Sequence, residues 1–414
     1  MWWEVPKHLE VKKDQLFIDG VSATSIAKKY GTPLYVYNGS RIREVYNKFY
    51  NALKNNTKKE IRLHYAMKTN SNKKILKLMK KEGSWIDAVS PEEAQLALDI
   101  GFLKEKILFT GTAVSNDDLK KLVKMGVRIN IDSISELKRL AKISTKVEIS
   151  FRMDPGIAGA GVHWKTMTAG KKSHGMPIKF SIPENEILDA VKMAKDLGFK
   201  IVGLHEHIGS GWRNDEEVNE FLQTVDIVLE KAKQIEKMGI KLEFINFGGG
   251  PGIRYQENHK EFPLEKYAKG VTNKVNKSGI DVKAIAFEPG RYIVGDSGLL
   301  LVEVVDVKER YGDIIAGVNS GFGHLVRPAM YSAYHEIINC NKAGKKSEAK
   351  VMIAGNLCET GDVFTPEPRA MPKPEEGDIL AIHNAGAYGF SMASHYNLRA
   401  LPKEIMILDG KIVG

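Results

Sequence analysis

The sequence predicts an α/β fold, a (β/α)8 TIM-type barrel with an all-β domain formed by the N- and C-terminal segments. Three observations carry this. Eight short apolar segments alternate with helix-like stretches through the middle of the chain. Polar residues and glycines concentrate immediately after those segments, as they do at the carboxyl ends of barrel strands. Towards the C-terminus the alternation stops, and strand-like pieces continue without regular helices. A length of 414 residues exceeds the usual size of one core. The division read from the sequence is a barrel over 38–295 and a β domain over 1–37 and 296–414.

The eight barrel segments are Arg62–Lys68, Trp85–Ser90, Ile107–Gly111, Arg128–Ser133, Glu148–Met153, Ile201–Ile208, Glu243–Phe247 and Ala284–Glu288. Each is a nearly continuous apolar run, the pattern of strands buried on both faces of a parallel sheet. Helical periodicity fills the intervals at Lys73–Lys81, Glu92–Leu98, Asn116–Lys124, Ile134–Ile143, Glu184–Leu197 and Asn214–Met238. In the terminal segments, strands are read at Leu16–Gly20, Leu34–Tyr37, Leu299–Val307, Ile314–Val318, Ala349–Ile353, Asp378–Ile382 and Glu404–Leu408. In a barrel the carboxyl ends of all eight strands meet on one face, so the motifs there converge on one site.

Composition narrows the function classes. Hydrophobic residues make up 43% of the chain, which excludes a largely disordered or fibrous protein. The formal charge of +10 is spread over scattered lysine pairs such as Lys80-Lys81, Lys120-Lys121 and Lys171-Lys172. That spacing reads as a solvated surface, with no nucleic-acid partner. Two cysteines, Cys340 and Cys358, cannot build a disulfide framework and point to a reducing compartment. Neither a secretory leader nor an apolar run of about 18 residues is present, so the expectation is a cytoplasmic protein with no membrane segment.

Four strand-end motifs can carry chemistry. Lys68, in Tyr65-Ala66-Met67-Lys68-Thr69-Asn70, is either a solvated cation or an amine desolvated enough to form a Schiff base. Gly248-Gly249-Gly250 after the seventh strand is either a tight bend or a run of amides that lets an anion approach closely, at a frequent phosphate position of such barrels. Leu204-His205-Glu206-His207-Ile208-Gly209-Ser210 offers two histidines, but no Cys/His set elsewhere completes a metal site, and no metal is expected. His207 can instead lie against a flat aromatic ligand, with Gly209 and Ser210 bonding to phosphate. Glu288, in Phe287-Glu288-Pro289-Gly290-Arg291, needs a buried partner, either Arg291 or a protonated ring nitrogen. A flat ring with a phosphate describes pyridoxal 5'-phosphate.

These motifs together resemble the fold-type III barrel decarboxylases that use pyridoxal phosphate, with alanine racemase as a more distant relative. Within that group they are most similar to the diaminopimelate decarboxylase family, through Tyr-Ala-x-Lys-x-Asn at 65–70, His-x-His-Ile-Gly-Ser at 205–210, Gly-Gly-Gly at 248–250 and Glu-Pro-Gly-Arg at 288–291. Later segments extend the likeness: Arg327-Pro328-Ala329-Met330-Tyr331, Cys358-Glu359-Thr360-Gly361-Asp362 and Gly386-Ala387-Tyr388. Asp87 and Glu93 match acidic positions of the family near the lysine.

The resemblance implies a homodimer with shared active sites that converts meso-2,6-diaminopimelate to L-lysine and CO2, the last step of lysine biosynthesis. It implies Lys68, Cys358, His207 and Glu288 as catalytic residues. Cofactor contacts would come from Lys68, Asp87, His207, Ser210, Gly248, Gly249, Gly250, Glu288, Arg291 and Tyr388. Arg291, Arg327, Tyr331, Glu359 and Tyr388 would hold the substrate. The chain departs from the family pattern at Gly159-Ala160-Gly161-Val162-His163, at Lys179-Phe180-Ser181 where Lys-Phe-Gly is common, at Gly321-Phe322-Gly323-His324 and at Tyr292. These departures fall on the substrate side. They leave open a decarboxylase of another basic or D-amino acid, such as ornithine, lysine or carboxynorspermidine, and a non-catalytic cofactor-binding regulator.

Overall fold

The computed structural model describes residues 1–159 and 163–413. The departure at Ala160-Gly161-Val162 lies outside the described residues. The chain forms two compact units, one of Tyr46–Ile253 with Lys260–Tyr292, the other of Met1–Val45, Arg254–His259 and Ile293–Gly414.

The first unit is a closed parallel barrel. Its strands are β1 (Glu60–Ala66), β2 (Trp85–Ala88), β3 (Ile107–Phe109), β4 (Arg128–Ile131), β5 (Glu148–Asp154), β6 (Lys200–His205), β7 (Phe244–Asn246) and β8 (Ala284–Phe287). Consecutive strands pair in parallel, and Ala284↔Glu60 between β8 and β1 completes the circle. All eight lie inside or within two residues of the segments read from the sequence, because a run apolar on both faces has no other low-cost environment. The helices following β1 to β7 are α1 (Lys73–Lys81), α2 (Pro91–Ile100), α3 (Asn116–Met125), α4 (Ile134–Ala141), α5 (Ile187–Asp196), α6 (Asp215–Lys237) and α7 (Leu264–Ser278). Helix α7 is absent from the sequence reading. Its Gly270 and Thr272 lower helix propensity, but a Cβ at Gly270 would sit 2.6 Å from the Leu222 side chain of α6. Close approach of the two helices selects the glycine.

The amino ends of the strands are tied by ion pairs. Buried Arg62 meets Glu243 at 2.7 Å and Glu60 at 3.0 Å, and Arg128 joins Glu148 and Glu243, each at 2.8 Å. These contacts hold the end of the barrel away from the site motifs, where side chains serve stability.

Two helices begin with the same device. Ser90 and Ser133 accept the backbone N–H of Glu93 and Glu136, each at 3.1 Å. The glutamates reach back to Val89 N at 2.8 Å and Asp132 N at 2.9 Å. Both arrangements are variants of the capping box. Glu93 is thus a helix cap as well as a neighbour of Asp87. Burial, reinforced by the Asp132 charge, pushes the Glu136 carboxyl up to about 7. A raised acid binds its proton more tightly in the folded chain, so this stability is complete below the unfolded value of 4.5 and is lost as pH rises through about 7. The Glu136→Gln variant is expected to flatten the fall in melting temperature between about pH 5 and pH 8 by roughly 2–4 °C. An unchanged slope, read by calorimetry, would remove Glu136 as its source.

The second unit is a separate sheet structure. Its long strand Gly298–Arg310 pairs with Asp313–Val318, Leu34–Asn38 and Ile379–Ile382, and Lys403–Leu408 runs parallel to Leu34–Asn38. The unit also holds the helix Ala23–Tyr30, which the sequence reading omits. Ser22 caps its start by accepting Ser25 N, and Gly31 ends it at φ +80°. Cys340 is fully buried in this unit's core with Leu16, Ile18, Val36, Leu301 and Ile407. It serves there as a small apolar side chain.

Candidate active site

Lys68 follows β1 in a single turn, Met67–Thr69, pinned by Tyr65 Oη donating to Asn70 O at 2.8 Å and Thr69 Oγ1 donating to Ala66 O at 2.8 Å. Because Ala66 pairs with Asp87 in the barrel, the turn sets Lys68 Nζ 2.7 Å from Asp87 Oδ2. Asp87 is wholly buried and its Oδ1 has no hydrogen-bond partner. Burial pushes its carboxyl up against the pull of the Lys68 charge.

Glu288, just past β8, is 3% exposed. His205 Nε2 meets one carboxylate oxygen at 3.1 Å and Asn246 Nδ2 donates to the other at 2.8 Å. Burial works to raise this carboxyl, but His205 and then Lys68 outweigh it and hold it well below the usual range. Arg291, the partner considered from sequence, bonds instead to Ser210, its Nε donating to Oγ at 3.2 Å. His207 lies two residues past the end of β6, which His205 closes. Its imidazole is pushed well down by burial and then by the charges of Arg152 and Lys68, so it is neutral. Gly249 N donates to Nδ1 at 3.2 Å, which leaves the ring proton on Nε2.

The glycine run corrects a simple picture of three free amides. Gly248 N donates to Asn246 Oδ1 at 2.9 Å and Gly249 N is spent on His207. A Cβ at Gly248 would meet Glu206 O at 2.3 Å, and one at Gly249 would meet Glu288 O at 2.3 Å. These two glycines therefore let backbones touch and orient Asn246 and His207.

The remaining sequence candidates lie in the second unit. Arg327 is buried, with Nε donating to His335 Nε2 at 3.3 Å and Nη2 to Tyr255 Oη at 3.4 Å, and its guanidinium sits 5.9 Å from the Tyr331 ring centre. Burial, then the Arg327 charge, pushes His335 down to about 3, so its Nε2 stays an acceptor for that arginine. Cys358 and Glu359 are exposed. Tyr388 adopts φ +55°, a conformation seldom taken by a side chain of its size and found disproportionately at functional sites.

Residues 40–295 match the family described as pyridoxal-dependent decarboxylase, pyridoxal binding domain. The chain is 42% identical over 406 residues to a diaminopimelate decarboxylase of Methanothermobacter thermautotrophicus, covering 97% of this chain and 92% of that one. The chain belongs to the diaminopimelate decarboxylase family of pyridoxal-dependent decarboxylases. Two solved structures support the placement. The Methanocaldococcus jannaschii diaminopimelate decarboxylase in complex with L-lysine matches at a TM-score of 0.89 and 33% identity, covering 98% of this chain and 94% of that one. The Helicobacter pylori enzyme, also complexed with L-lysine, matches at 0.85 and 32%, with 94% coverage of each chain.

The barrel mouth of this decarboxylase fits its cofactor. A held amine at Lys68, an ionised buried carboxylate at Glu288 and an unpartnered buried oxygen on Asp87 are costly to assemble without a ligand that uses them. Sequence reasoning missed the supports. His205 and Asn246 set Glu288, and only their register, His205↔Asn246 across β6 and β7, carried that signal. Arg152 in β5 was missed too. It is 4% exposed, its Nε has no partner, and its guanidinium lies 4.7 Å from the Phe180 ring centre. Thr168 Oγ1 donates to His207 O at 2.7 Å and steadies the loop that carries the imidazole. The departures also gain physical meaning. Ser181 sits at φ +73°, a strained position that explains the glycine common there, and Tyr292 packs against Phe49 and Phe262.

Proposed function

We propose that this enzyme converts meso-2,6-diaminopimelate to L-lysine and CO2. The single observation that best supports the chemistry is Glu288, buried and held ionised by His205 and Asn246 at the same strand ends as the Lys68–Asp87 pair. When bound, pyridoxal phosphate supplies an electron sink for the pair released as the α-carboxylate departs. Lys68 would anchor it and Glu288 would hold its ring nitrogen. Neutral His207 would lie against its ring, while Ser210, Gly250 and Arg291 would take the phosphate. Asp87 would hold the Lys68 side chain aimed at the barrel mouth, where it can meet the cofactor.

The substrate reading rests on the family and on the second unit's residues. Arg327, made rigid by His335 and Tyr255, with Tyr331 beside it, is suited to a distal carboxylate. Arg291 and Tyr388 complete the proposed substrate contacts, and Glu359 takes the distal ammonium. Cys358 Sγ delivers a proton to the former α-carbon and is reprotonated from water. We place Cys358 and Glu359 in the active site of a second copy of the chain, in a homodimer with shared sites. Exposure of 358–361 supports that placement. Two unpaired cysteines support a reducing, cytoplasmic setting. Among the described residues no helix is long and apolar enough to cross a membrane.

Incubating the enzyme and pyridoxal phosphate with diaminopimelate isomers, lysine, ornithine, arginine and carboxynorspermidine tests the reading. CO2 is expected from the meso isomer alone, with L-lysine as the product. Turnover of a different member and none of meso-diaminopimelate would overturn it.

A further inference from the structure

Glu359, exposed on a surface loop, is held by a partner that the function above does not use. Tyr396 Oη donates to Glu359 Oε1 at 2.6 Å. The Tyr396 ring is in turn stacked on Phe322, with ring centres 5.6 Å apart and planes 24° from parallel. The next residue, Asn397, sits at φ +53°, which asparagine tolerates better than most side chains. From there its Oδ1 accepts the backbone N–H of Cys358 at 3.1 Å. Asp362 closes the cluster by accepting Phe322 N at 2.6 Å and Leu357 N at 2.7 Å. Phe322 belongs to the segment where this chain departs from the family pattern. The departure thus lies one ring away from Glu359.

We propose that Tyr396, braced by Phe322, is a positioning residue that fixes the Glu359 carboxylate and the Cys358 loop and so sets recognition of the substrate's distal ammonium. A free glutamate on an exposed loop samples many rotamers, and each must be given up when it grips a cation. A short hydrogen bond from a phenol held by ring stacking removes that freedom beforehand. One carboxylate oxygen is fixed by Tyr396 and the other is left to face the ammonium. The inference rests on the reading that Glu359 takes the distal ammonium.

The test uses the holoenzyme and the Tyr396→Phe variant, which keeps the ring and removes the hydroxyl. KM for meso-diaminopimelate is expected to rise about tenfold with kcat within about twofold, the size of one hydrogen bond to a charged group. In a Glu359→Gln background the same change is expected to add less than about twofold, because the two groups act as one. A second readout needs no substrate. Cys340 is buried in its unit's core and Cys358 is exposed on the single chain, so alkylation by iodoacetamide of substrate-free enzyme, read at equal dimer content for every variant, reports Cys358. Its rate is expected to rise at least about twofold in Tyr396→Phe and in Phe322→Leu, with Phe322→Tyr close to wild type, as local order is lost or kept. Unchanged KM and alkylation in Tyr396→Phe, or effects that multiply with Glu359→Gln, would overturn the proposal. If the wild-type enzyme released no CO2 from meso-diaminopimelate, the substrate reading would fall. The alkylation rates would then decide whether Tyr396 braces the loop.

Discussion

Replacing Lys68 by alanine is expected to lower CO2 release by at least about 10³-fold, the scale seen when a covalent anchor is removed. The contacts explain why this cannot be the loss of a surface cation. Lys68 Nζ lies 2.7 Å from a carboxylate whose residue is 0% exposed, and the turn that presents the lysine is tied down by Tyr65 and Thr69. Removing the amine leaves the Asp87 carboxylate buried without its counter-charge, which forces it to take up a proton or destabilise the fold. The double variant Lys68→Ala/Asp87→Asn is therefore expected to recover the melting temperature lost in Lys68→Ala while remaining inactive. Single-turnover CO2 release and calorimetry on the three proteins measure both effects. Activity within about tenfold of wild type in Lys68→Ala would reduce the pair to a structural ion pair.

Much of this architecture was legible because its signals are local. Runs such as Ile285–Phe287, apolar on both faces, report a buried parallel strand wherever they occur, and the polar residue that follows each run marks the functional end. What escaped reading depends on pairs of distant residues. Gly270 looks like a helix breaker until Leu222 of the neighbouring helix is placed against it. Asn246 is an ordinary strand-end amide until register sets it beside His205 and both turn to Glu288. Arg152 gave no motif, because a lone arginine in a strand is indistinguishable from a surface charge until its burial is known. The Gly248–Gly250 run shows the converse. Its composition pointed to an anion cradle, yet two of its amides serve Asn246 and His207.

Glu288→Gln is expected to lower kcat by about 10²–10³-fold while weakening cofactor binding by less than about tenfold. The asymmetry follows from what the substitution keeps. Glutamine has nearly the same shape, and its oxygen can still accept from Asn246 Nδ2, which lies 2.8 Å from the present carboxylate. Its amide then faces His205 Nε2, now 3.1 Å from the second oxygen, where two donors would clash. His205 can resolve this without moving. Its Nδ1 has no hydrogen-bond partner, and with a proton there and none on Nε2 the ring accepts from the new amide. Packing and cofactor shape therefore survive, and the one property removed is the negative charge that His205 and Lys68 maintain against burial. On the proposed reading that charge would keep the ring nitrogen of bound pyridoxal phosphate positive, so its loss would fall on the electron-sink chemistry the cofactor supplies. Comparing kcat with the apparent dissociation constant of pyridoxal phosphate separates the two properties. Equal losses in both would make Glu288 a structural member of the barrel end, and the electronic role would then have to come from a different group.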